Sequence, residues 1–319
     1  MTTAPTFADI RIAETRISPH VHRTPILTSR VIDGIAGCHI LFKCENFQRT
    51  GAFKARGAFN AVLALSPEEA ARGVVTHSSG NHAAALALAA RERGIAAHIV
   101  MPTTAPAPKK AAVAGYGGRI VECEPTIAAR LAAADAIVAE TGATLIPPFD
   151  NRLVAAGQGT VVMELIADSA EQLDVITCPV GGGGLLAGTL VAAAELLPGV
   201  PVIAAEPLAA DDAARGFRSG KIQPQVLPVA TIADGLTTSM SEMTFAVMQQ
   251  RAHDVVTASE TAIVEAMQLI WSRMKIIVEP SSAVPLAAIL EGAWKPGRKT
   301  VGIILTGGNV DLDKLPWAR

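Results

Sequence analysis

The chain has 319 residues, of which half are hydrophobic and 18% are charged, and its formal net charge is −2. This length predicts two domains with enough apolar material for a sizeable core. Because the sequence has neither a basic run nor an acidic tail, it argues against nucleic acid and anionic membrane surfaces as main partners.

Short apolar runs alternate with alanine-rich runs, a pattern typical of an α/β protein with a parallel sheet. Helices are predicted at residues 8–17, 54–65, 81–93, 109–115, 127–141, 151–167, 185–197 and 260–274, with one more from residue 280. Strands are predicted at 40–43, 73–77, 96–101, 119–123, 145–148, 174–180, 200–205 and 300–305. The stretch 215–229 contains prolines and little periodicity, which predicts a loop. We expect a small domain at residues 73–148 and a large one formed by 1–72 and 149–319.

The cysteines and the amino terminus indicate the cellular compartment. No pair of cysteines has the spacing of a zinc site, and no disulfide framework is indicated. We expect buried thiols of a reducing compartment at Cys38, Cys44, Cys123 and Cys178. The first residues lack the apolar segment of a signal peptide, and no apolar run approaches about 18 uncharged residues. We therefore expect a cytoplasmic protein without a membrane partner.

Lys54 lies in a setting of glycine, alanine and phenylalanine, within the stretch Phe53-Lys54-Ala55-Arg56-Gly57. One interpretation is a surface lysine at the beginning of a helix. The other is a lysine in an apolar pocket, where burial lowers the pKa and makes covalent bonding to a carbonyl compound possible. Lys54 by itself leaves both interpretations open.

Four consecutive glycines, Gly181 to Gly184, follow a predicted apolar strand and precede a predicted helix. Backbone N–H groups that no Cβ shields, together with a helix amino terminus, are suited to binding a phosphate. No Gly-Lys-Ser/Thr follows, so the nucleoside-triphosphate loop does not fit. A tight strand–helix turn without a ligand is the alternative.

Residues Ser78-Ser79-Gly80-Asn81-His82 lie where a predicted strand turns into a helix. Their hydroxyl, amide and backbone N–H groups could hold a carboxylate and the oxygen of an aromatic ring. An ordinary Ser-Gly turn that caps the helix is the alternative.

Five separated motifs together resemble the fold-type II pyridoxal-phosphate enzymes, and within them the serine racemase and serine/threonine dehydratase group, including threo-3-hydroxyaspartate dehydratases. The motifs are FKARGA, SSGNH, PVGGGGLLAG, EPSSA and TGGNVD, and the resemblance extends over nearly the whole chain. It implies a two-domain, three-layer α/β fold that binds pyridoxal phosphate in the cleft between the domains. It also implies a homodimer. A nucleotide-binding regulatory protein, suggested by the glycines alone, is the rival class.

The resemblance also assigns roles to residues of the cofactor site. Lys54 would bind the cofactor covalently, Phe53 would pack on its ring, and Asn81 would bond the ring hydroxyl. The phosphate would be held by Gly181, Gly182, Gly183 and Gly184. Thr306 would face the pyridine nitrogen, where a neutral hydroxyl leaves that nitrogen largely unprotonated. The cofactor is then a weak electron sink, which suits prompt elimination of a β-hydroxyl group.

The implied activity is removal of water from a small 3-hydroxy amino acid, which yields a 2-oxo acid and ammonia. Ser78, Ser79, Asn81 and His82 would hold the substrate carboxylate. Lys54 would remove the Cα proton, and Ser79 or the cofactor phosphate would protonate the leaving hydroxyl. Because the serine that Ser79 matches lies on the opposite face of the cofactor in the racemases, serine or aspartate racemisation is the alternative activity.

Arg130 and Ser239 match positions that bind the substrate side chain in the related enzymes. If Arg130 points inward, it could pair with a β-carboxylate, and 3-hydroxyaspartate would be a candidate substrate beside serine and threonine. If it lies on a solvated helix face, the enzyme is a general dehydratase. His82 has two equally good interpretations: a histidine that caps the helix or packs in the core, and a histidine that contacts a ligand.

A second resemblance to the serine racemases concerns the loop Glu206-Pro207-Leu208-Ala209-Ala210-Asp211-Asp212. It implies a divalent cation held by the carboxylates of Glu206 and Asp212 and the carbonyl of Ala210. Such oxygen ligands suit Mg²⁺, with Ca²⁺ or Mn²⁺ as alternatives, in a structural role. A solvated acidic turn without a metal is the other interpretation.

Overall fold

Ten strands form two sheets in the part of the chain that the computed structural model describes, residues 3–317. The larger sheet has the order β1-β2-β10-β7-β8-β9, and the smaller has the order β5-β4-β3-β6. The strands of the larger sheet are β1 (Ile26–Leu27), β2 (His39–Cys44), β7 (Val175–Pro179), β8 (Val202–Pro207), β9 (Asp254–Ala258) and β10 (Thr300–Leu305). Those of the smaller sheet are β3 (Val74–Thr76), β4 (Ala97–Pro102), β5 (Arg119–Cys123) and β6 (Thr144–Leu145).

Thirteen α-helices surround these sheets within the same residues, 3–317. They are α1 (Phe7–Ile17), α2 (Arg30–Ala36), α3 (Lys54–Leu63), α4 (Pro67–Arg72), α5 (Asn81–Arg93), α6 (Ala107–Gly115), α7 (Ile127–Thr141), α8 (Arg152–Asp168), α9 (Gly184–Leu196), α10 (Asp212–Ser219), α11 (Glu242–Arg251), α12 (Glu260–Met274) and α13 (Pro280–Leu290). None of them combines the length and apolar character needed to cross a membrane.

Both faces of the larger sheet are covered, which gives the three-layer arrangement. Leu41 belongs to the core cluster under α1, α8 and α9, whereas its neighbours Ile40 and Phe42 belong to the cluster under α12 and α13. This alternation follows because successive side chains of a strand point to opposite faces. The α/β fold class predicted from the sequence is therefore confirmed. Strand β1 is an edge strand that pairs antiparallel with β2, and the other strand pairs of the larger sheet are parallel.

The parallel register places three of the sequence motifs at one edge of the larger sheet. Strand β10 pairs with β2 on one side and with β7 on the other. The lysine stretch follows β2, the glycine run follows β7, and Thr306 follows β10. Because carboxyl ends of parallel strands meet at the same edge, the three motifs lie close together, as ligand sites in α/β proteins do.

Several predicted element boundaries were wrong. Helix α10 reaches Ser219, so the predicted loop at 215–229 begins inside a helix. This helix is short and amphipathic, and Ala213 and Ala214 on its apolar face are buried against the core. The sequence pattern did not predict α2, α4, α11, β1 and β9 as elements, all of them ten residues or shorter. The proposed limits of the two domains stay a prediction, although the smaller sheet draws its strands from residues 74–145.

Candidate active site

Lys54 is the first residue of α3 and is only partly exposed. Its Nζ donates a hydrogen bond to the carbonyl oxygen of Pro148 over 3.1 Å and lies 4.9 Å from the ring centroid of Phe53. Burial lowers the pKa of Lys54 to about 8, although the nearby carboxyl of Glu279 opposes this shift. A substantial fraction of the amine is therefore neutral near pH 8, which is the form that acts as a nucleophile or a base.

A buried ionic network fixes the helix on which Lys54 lies. Two residues further along α3, the fully buried guanidinium of Arg56 donates hydrogen bonds to the carboxylates of Glu45 and Glu164. Lys43 of β2 donates to Glu164 over 2.7 Å. Because two cations face two carboxylates and hydrogen bonds join them, the charges compensate each other inside the protein. The network holds α3 in register with β2 and α8.

The Ser78–His82 loop connects β3 to α5. Within this loop the backbone N–H of Gly80 lies 3.5 Å from the hydroxyl of Ser78, and Ser79 between them is half-buried. His82 is buried, and its Nε2 donates to the carbonyl of Ile146 over 3.0 Å. Burial and the charge of Lys54 lower the pKa of His82 to about 3, so its ring is neutral. His82 therefore anchors the segment before Pro148, which favours a core role over binding of a charged ligand.

Asn81 is oriented by two partners from the opposite side of the cleft. Its Nδ2 donates to the carboxyl oxygens of Glu279 over 3.0 and 3.1 Å, and its Oδ1 accepts from Nδ2 of Asn309 over 2.9 Å. Burial raises the pKa of Glu279 to about 7, against the lowering effect of Asn81. The amide orientation is thus fixed, with N–H groups on the side facing Glu279.

The glycine run makes a turn in which side chains would not fit. Gly183 has a φ of +85°, a conformation that favours glycine. A Cβ on Gly182 would overlap the ring of Phe149, and one on Gly184 would lie 3.0 Å from the Cβ of Phe149. Thr244 donates from its hydroxyl to the carbonyl of Gly182 over 2.9 Å. Since the first amides of α9 have no intrahelical acceptor, the turn presents free N–H donors.

Thr306 is buried at the end of β10, with 3% of its surface exposed. Its carbonyl accepts a hydrogen bond from the backbone N–H of Phe53 over 2.9 Å, which links it directly to the lysine stretch. Its hydroxyl lies 3.0 Å from the hydroxyl of Ser282 at the beginning of α13.

A continuous series of contacts joins these parts into one site. Pro148 contacts Lys54, and the next residue, Phe149, packs against the glycine run. On the other side, Asn81 from the smaller-sheet region reaches Glu279 and Asn309. An ion pair between Lys109 of α6 and Asp234 adds a second bridge across the cleft. The structure therefore brings the predicted lysine, serine loop, glycine run and threonine together.

Arg130, on α7, lies outside these hydrogen bonds. Its Nε is buried and has no hydrogen-bond partner in the described part of the chain. Burial lowers the pKa of His77, and the charge of Arg130 lowers it further. Arg130 thus lies near His77, which directly precedes the Ser78–His82 loop. Arg130 as a whole is half-buried, and an anionic ligand would supply the acceptor that its buried Nε lacks.

The predicted cation loop is buried, unlike a solvated acidic turn. Glu206 and Asp212 are 1% and 5% exposed, and Ala210 lies between them in a 3-10 turn. Burial and the neighbouring Asp212 raise the pKa of Glu206 to about 9, while the backbone N–H groups of Ala213 and Ala214 donate to its carboxyl. Burial raises the pKa of Asp212, and a hydrogen bond from Ser239 opposes this. The hydrogen bond that the geometry gives to Asp212 comes from Nε2 of Gln225 over 3.3 Å, and Ser239 lies close enough to affect the same carboxyl.

Two residues of the site, Glu279 and Phe149, have positions that the sequence did not predict. Glu279 belongs to the EPSSA motif but precedes a proline, where an acidic residue usually caps a helix. It lies instead in the cleft and affects both Asn81 and Lys54. Phe149 follows two prolines, and no local pattern indicates its packing against glycines that lie more than thirty positions later.

Comparison with known proteins identifies the family. A family model described as "Pyridoxal-phosphate dependent enzyme" matches residues 17–307. The chain is 49% identical over 313 residues to the beta-hydroxyaspartate dehydratase of Paracoccus denitrificans (strain Pd 1222), and the match covers 98% of this chain and 99% of that protein. The structure of serine racemase from Dictyostelium discoideum matches with a TM-score of 0.92 and 48% identity, over 97% of this chain and 99% of that one. The processed form of threonine deaminase isoform 2 from Solanum lycopersicum matches with a TM-score of 0.90 and 30% identity, over 99% and 94% of the two chains. The chain therefore belongs, as its motifs predicted, to the family of pyridoxal-phosphate-dependent enzymes.

Proposed function

We propose that this protein is an ammonia-lyase of the dehydratase type that removes water from 3-hydroxyaspartate and releases a 2-oxo acid and ammonia. The observation that carries the choice of substrate is the buried Nε of Arg130, which has no partner among residues 3–317 and whose charge acts on His77, the residue before the Ser78–His82 loop. A β-carboxylate would supply its missing partner. The similarity to a dehydratase of that substrate class agrees with this proposal.

The residues of the cleft fit pyridoxal phosphate. Lys54 offers an amine of lowered pKa, and the glycine run at the amino terminus of α9 has no side chains that would shield its N–H groups from a phosphate. Asn81 would bond the ring hydroxyl, Phe53 would contact the ring, and Thr306 would face its nitrogen. When bound, the cofactor supplies electron withdrawal at the substrate Cα.

The side chains of this protein would then hold the substrate and move its protons. Ser78, Asn81 and the backbone of their loop hold the α-carboxylate. The neutral amine of Lys54 removes the Cα proton, and the hydroxyl of Ser79 protonates the leaving β-hydroxyl as water. The unsaturated amine that remains is hydrolysed to the 2-oxo acid and ammonia.

Racemisation is the second candidate activity. The observation in its favour is the 48% identity of the chain to the serine racemase of Dictyostelium discoideum, together with the match of Ser79 to the serine that could exchange a proton with Cα in the racemases. A racemase would invert the substrate without releasing 2-oxo acid, whereas a dehydratase consumes it.

The proposed function is tested by measuring 2-oxo acid release from L-serine, D-serine, L-threonine, and the threo and erythro forms of 3-hydroxyaspartate, with Mg²⁺ or with EDTA. We expect a strong preference for one 3-hydroxyaspartate isomer. Preference for serine or threonine would indicate a general dehydratase. Loss of optical activity without any 2-oxo acid would indicate a racemase.

Substituting Gly182 with alanine is expected to lower the affinity for pyridoxal phosphate by about tenfold or more. The new Cβ would overlap the Phe149 ring. Such overpacking typically raises the free energy of the packed conformation by about 1–3 kcal/mol. Titration of the apoprotein with the cofactor, followed by its visible absorption, measures the effect. Gly34→Ala is the matched control, because a Cβ there meets nothing within 4 Å. Equal affinities of the two variants would contradict the proposed phosphate site.

We propose a structural divalent cation, Mg²⁺ in the first place, at Glu206, Asp212 and the carbonyl of Ala210. Two buried carboxyl groups act on each other there, and Arg215 pairs with the neighbouring Asp211. No cluster of three or more acidic, histidine or cysteine ligands occurs in this described range. The remaining ligands would therefore be the carbonyl and water.

Adding Mg²⁺ or Ca²⁺ at a hundredfold excess over its Kd is expected to stabilise the protein by about 3 kcal/mol, seen as a higher Tm. Asp212→Asn should abolish the increase because it removes a charged ligand. Asp211→Asn should keep the increase, since Asp211 pairs with Arg215. An unchanged Tm of the unmodified protein, or an equal increase in the Asp212 variant, would exclude the site.

We also propose that the protein acts in the cytoplasm as a homodimer, as its family resemblance implies. Light scattering of the purified holoprotein tests the oligomeric state, and a monomeric mass would contradict it.

A further inference from the structure

The ion pair between Lys109 and Asp234 joins elements on opposite sides of the cleft. Asp234 begins a short 3-10 turn, Asp234–Leu236, that packs on the glycine run, since a Cβ on Gly181 would lie 2.9 Å from the Cα of Leu236. A backbone N–H of the same turn donates to a serine hydroxyl of α13 over 3.1 Å. Asp234 is therefore held beside the proposed phosphate site.

Lys109 belongs to the side of the cleft that carries the Ser78–His82 loop. It lies in the first turn of α6, and Val113 of that helix is buried in the same core cluster as the alanines and leucines of α5. Helix α5 begins at Asn81, within the loop. Because α5 and α6 share this core, the position of Lys109 and the position of the loop are coupled. The ion pair therefore links the Ser78–His82 loop to the glycine run.

The pair lies nearer to solvent than the contact between Asn81 and Glu279, which also crosses the cleft. The side chains of Lys109 and Asp234 are 35% and 58% exposed, whereas Glu279 is buried. An exposed ion pair contributes little free energy and is screened by salt, so it forms and breaks readily. Such a contact suits a cleft that closes on a substrate and opens again in every catalytic cycle.

We propose that Lys109 and Asp234 are positioning residues whose ion pair holds the Ser78–His82 loop and the glycine run together around a bound substrate. The pair breaks when the cleft opens to release product, and it forms again around the next substrate. This inference rests on the proposed function, since it takes the substrate and the cofactor phosphate to lie between these two segments.

The same two charges also act on Glu279, which gives a rival explanation that the test must separate. Burial raises the pKa of Glu279 to about 7, the charge of Asp234 adds to this increase, and the charge of Lys109 opposes it. Because Glu279 holds Asn81, loss of either charge could act through Glu279 while the cleft stays closed. Neutralising Lys109 and neutralising Asp234 would then have opposite effects. Loss of the ion pair should instead have the same effect in both variants.

The test measures amide hydrogen exchange in the holoprotein of Lys109→Met and Asp234→Asn. Each variant is observed on the side of the cleft that it leaves unchanged, the Asp234–Leu236 turn for Lys109→Met and α6 for Asp234→Asn. We expect exchange there to be about threefold faster in both, and KM for the preferred amino acid to rise about threefold with kcat nearly unchanged, as for loss of an exposed ion pair. The double variant should show no larger effect than either single variant. Salt at about 1 M should reproduce the faster exchange in the unmodified protein.

Lys110→Met is the matched control. Lys110 follows Lys109 on the same helix and pairs with Glu122 over 2.6 Å, but both partners belong to the smaller-sheet region. Its loss should leave KM and exchange in the Asp234–Leu236 turn unchanged. Opposite effects of Lys109→Met and Asp234→Asn, equal effects of Lys109→Met and Lys110→Met, or additive effects in the double variant would overturn the inference. The exchange measurement needs no turnover, so it decides the matter even if the substrate panel identifies another activity, whereas a protein that binds no cofactor would contradict the proposed function itself.

Discussion

Lys54→Ala is expected to lower 2-oxo acid formation by about 10³-fold or more, because it removes both the covalent attachment of the cofactor and the proposed base. The same variant should lose the visible absorption band that disappears from the unmodified protein on borohydride treatment. In the unmodified apoprotein, the rate of cofactor attachment should rise with pH around a midpoint of about 8. The sign follows because burial lowers the pKa of Lys54, so the reactive neutral amine accumulates above that value.

Lys54→Arg is the informative companion variant, since it keeps a positive charge but forms no such covalent bond. It should be as inactive as Lys54→Ala. Lys221→Ala, at an exposed lysine on the loop after α10, should retain both the absorption band and the activity. A colourless protein after addition of the cofactor, or activity that survives both Lys54 variants, would contradict the enzyme proposal.

The parts of the site that the sequence predicted are those whose residue types are unusual for their surroundings. A lysine among glycine, alanine and phenylalanine, and four glycines after an apolar strand, conflict with ordinary helix and strand preferences. Such conflicts are expected at functional sites, where ligand binding and not the local helix or strand preference determines the residue type. The order of the motifs along the chain then carried the family resemblance, which the comparisons confirm.

The parts that the sequence did not predict depend on contacts between distant segments. Phe149 fills the space beside Gly182, and Glu279 is buried against Asn81, yet neither neighbour is local in the chain. Short elements were missed for a different reason. Strand β9 was missed although Val255, Val256 and Thr257 favour a strand, because a run of five residues is too short to show a clear alternation in the sequence.

Arg130→Ala is expected to reduce kcat/KM for 3-hydroxyaspartate by roughly 30- to 1000-fold. This corresponds to about 2–4 kcal/mol, the loss typical of removing one partner from a buried charged pair. Activity on L-serine, which has no β-carboxylate, should change by less than about threefold. The ratio of the two kcat/KM values is therefore the quantity to measure, since a general loss of folding would lower both.

Arg119→Ala is the matched control, because Arg119 is an exposed arginine of the same smaller-sheet region. It should leave the ratio unchanged. Arg130→Lys should give an intermediate ratio, since an ammonium group keeps the charge but not the two parallel hydrogen bonds of a guanidinium. If Arg130→Ala reduces activity on serine and 3-hydroxyaspartate equally, Arg130 supports the fold of α7 and does not select the substrate. The unpaired Nε would then be a structural feature, and the dicarboxylate preference would have to come from elsewhere in the cleft.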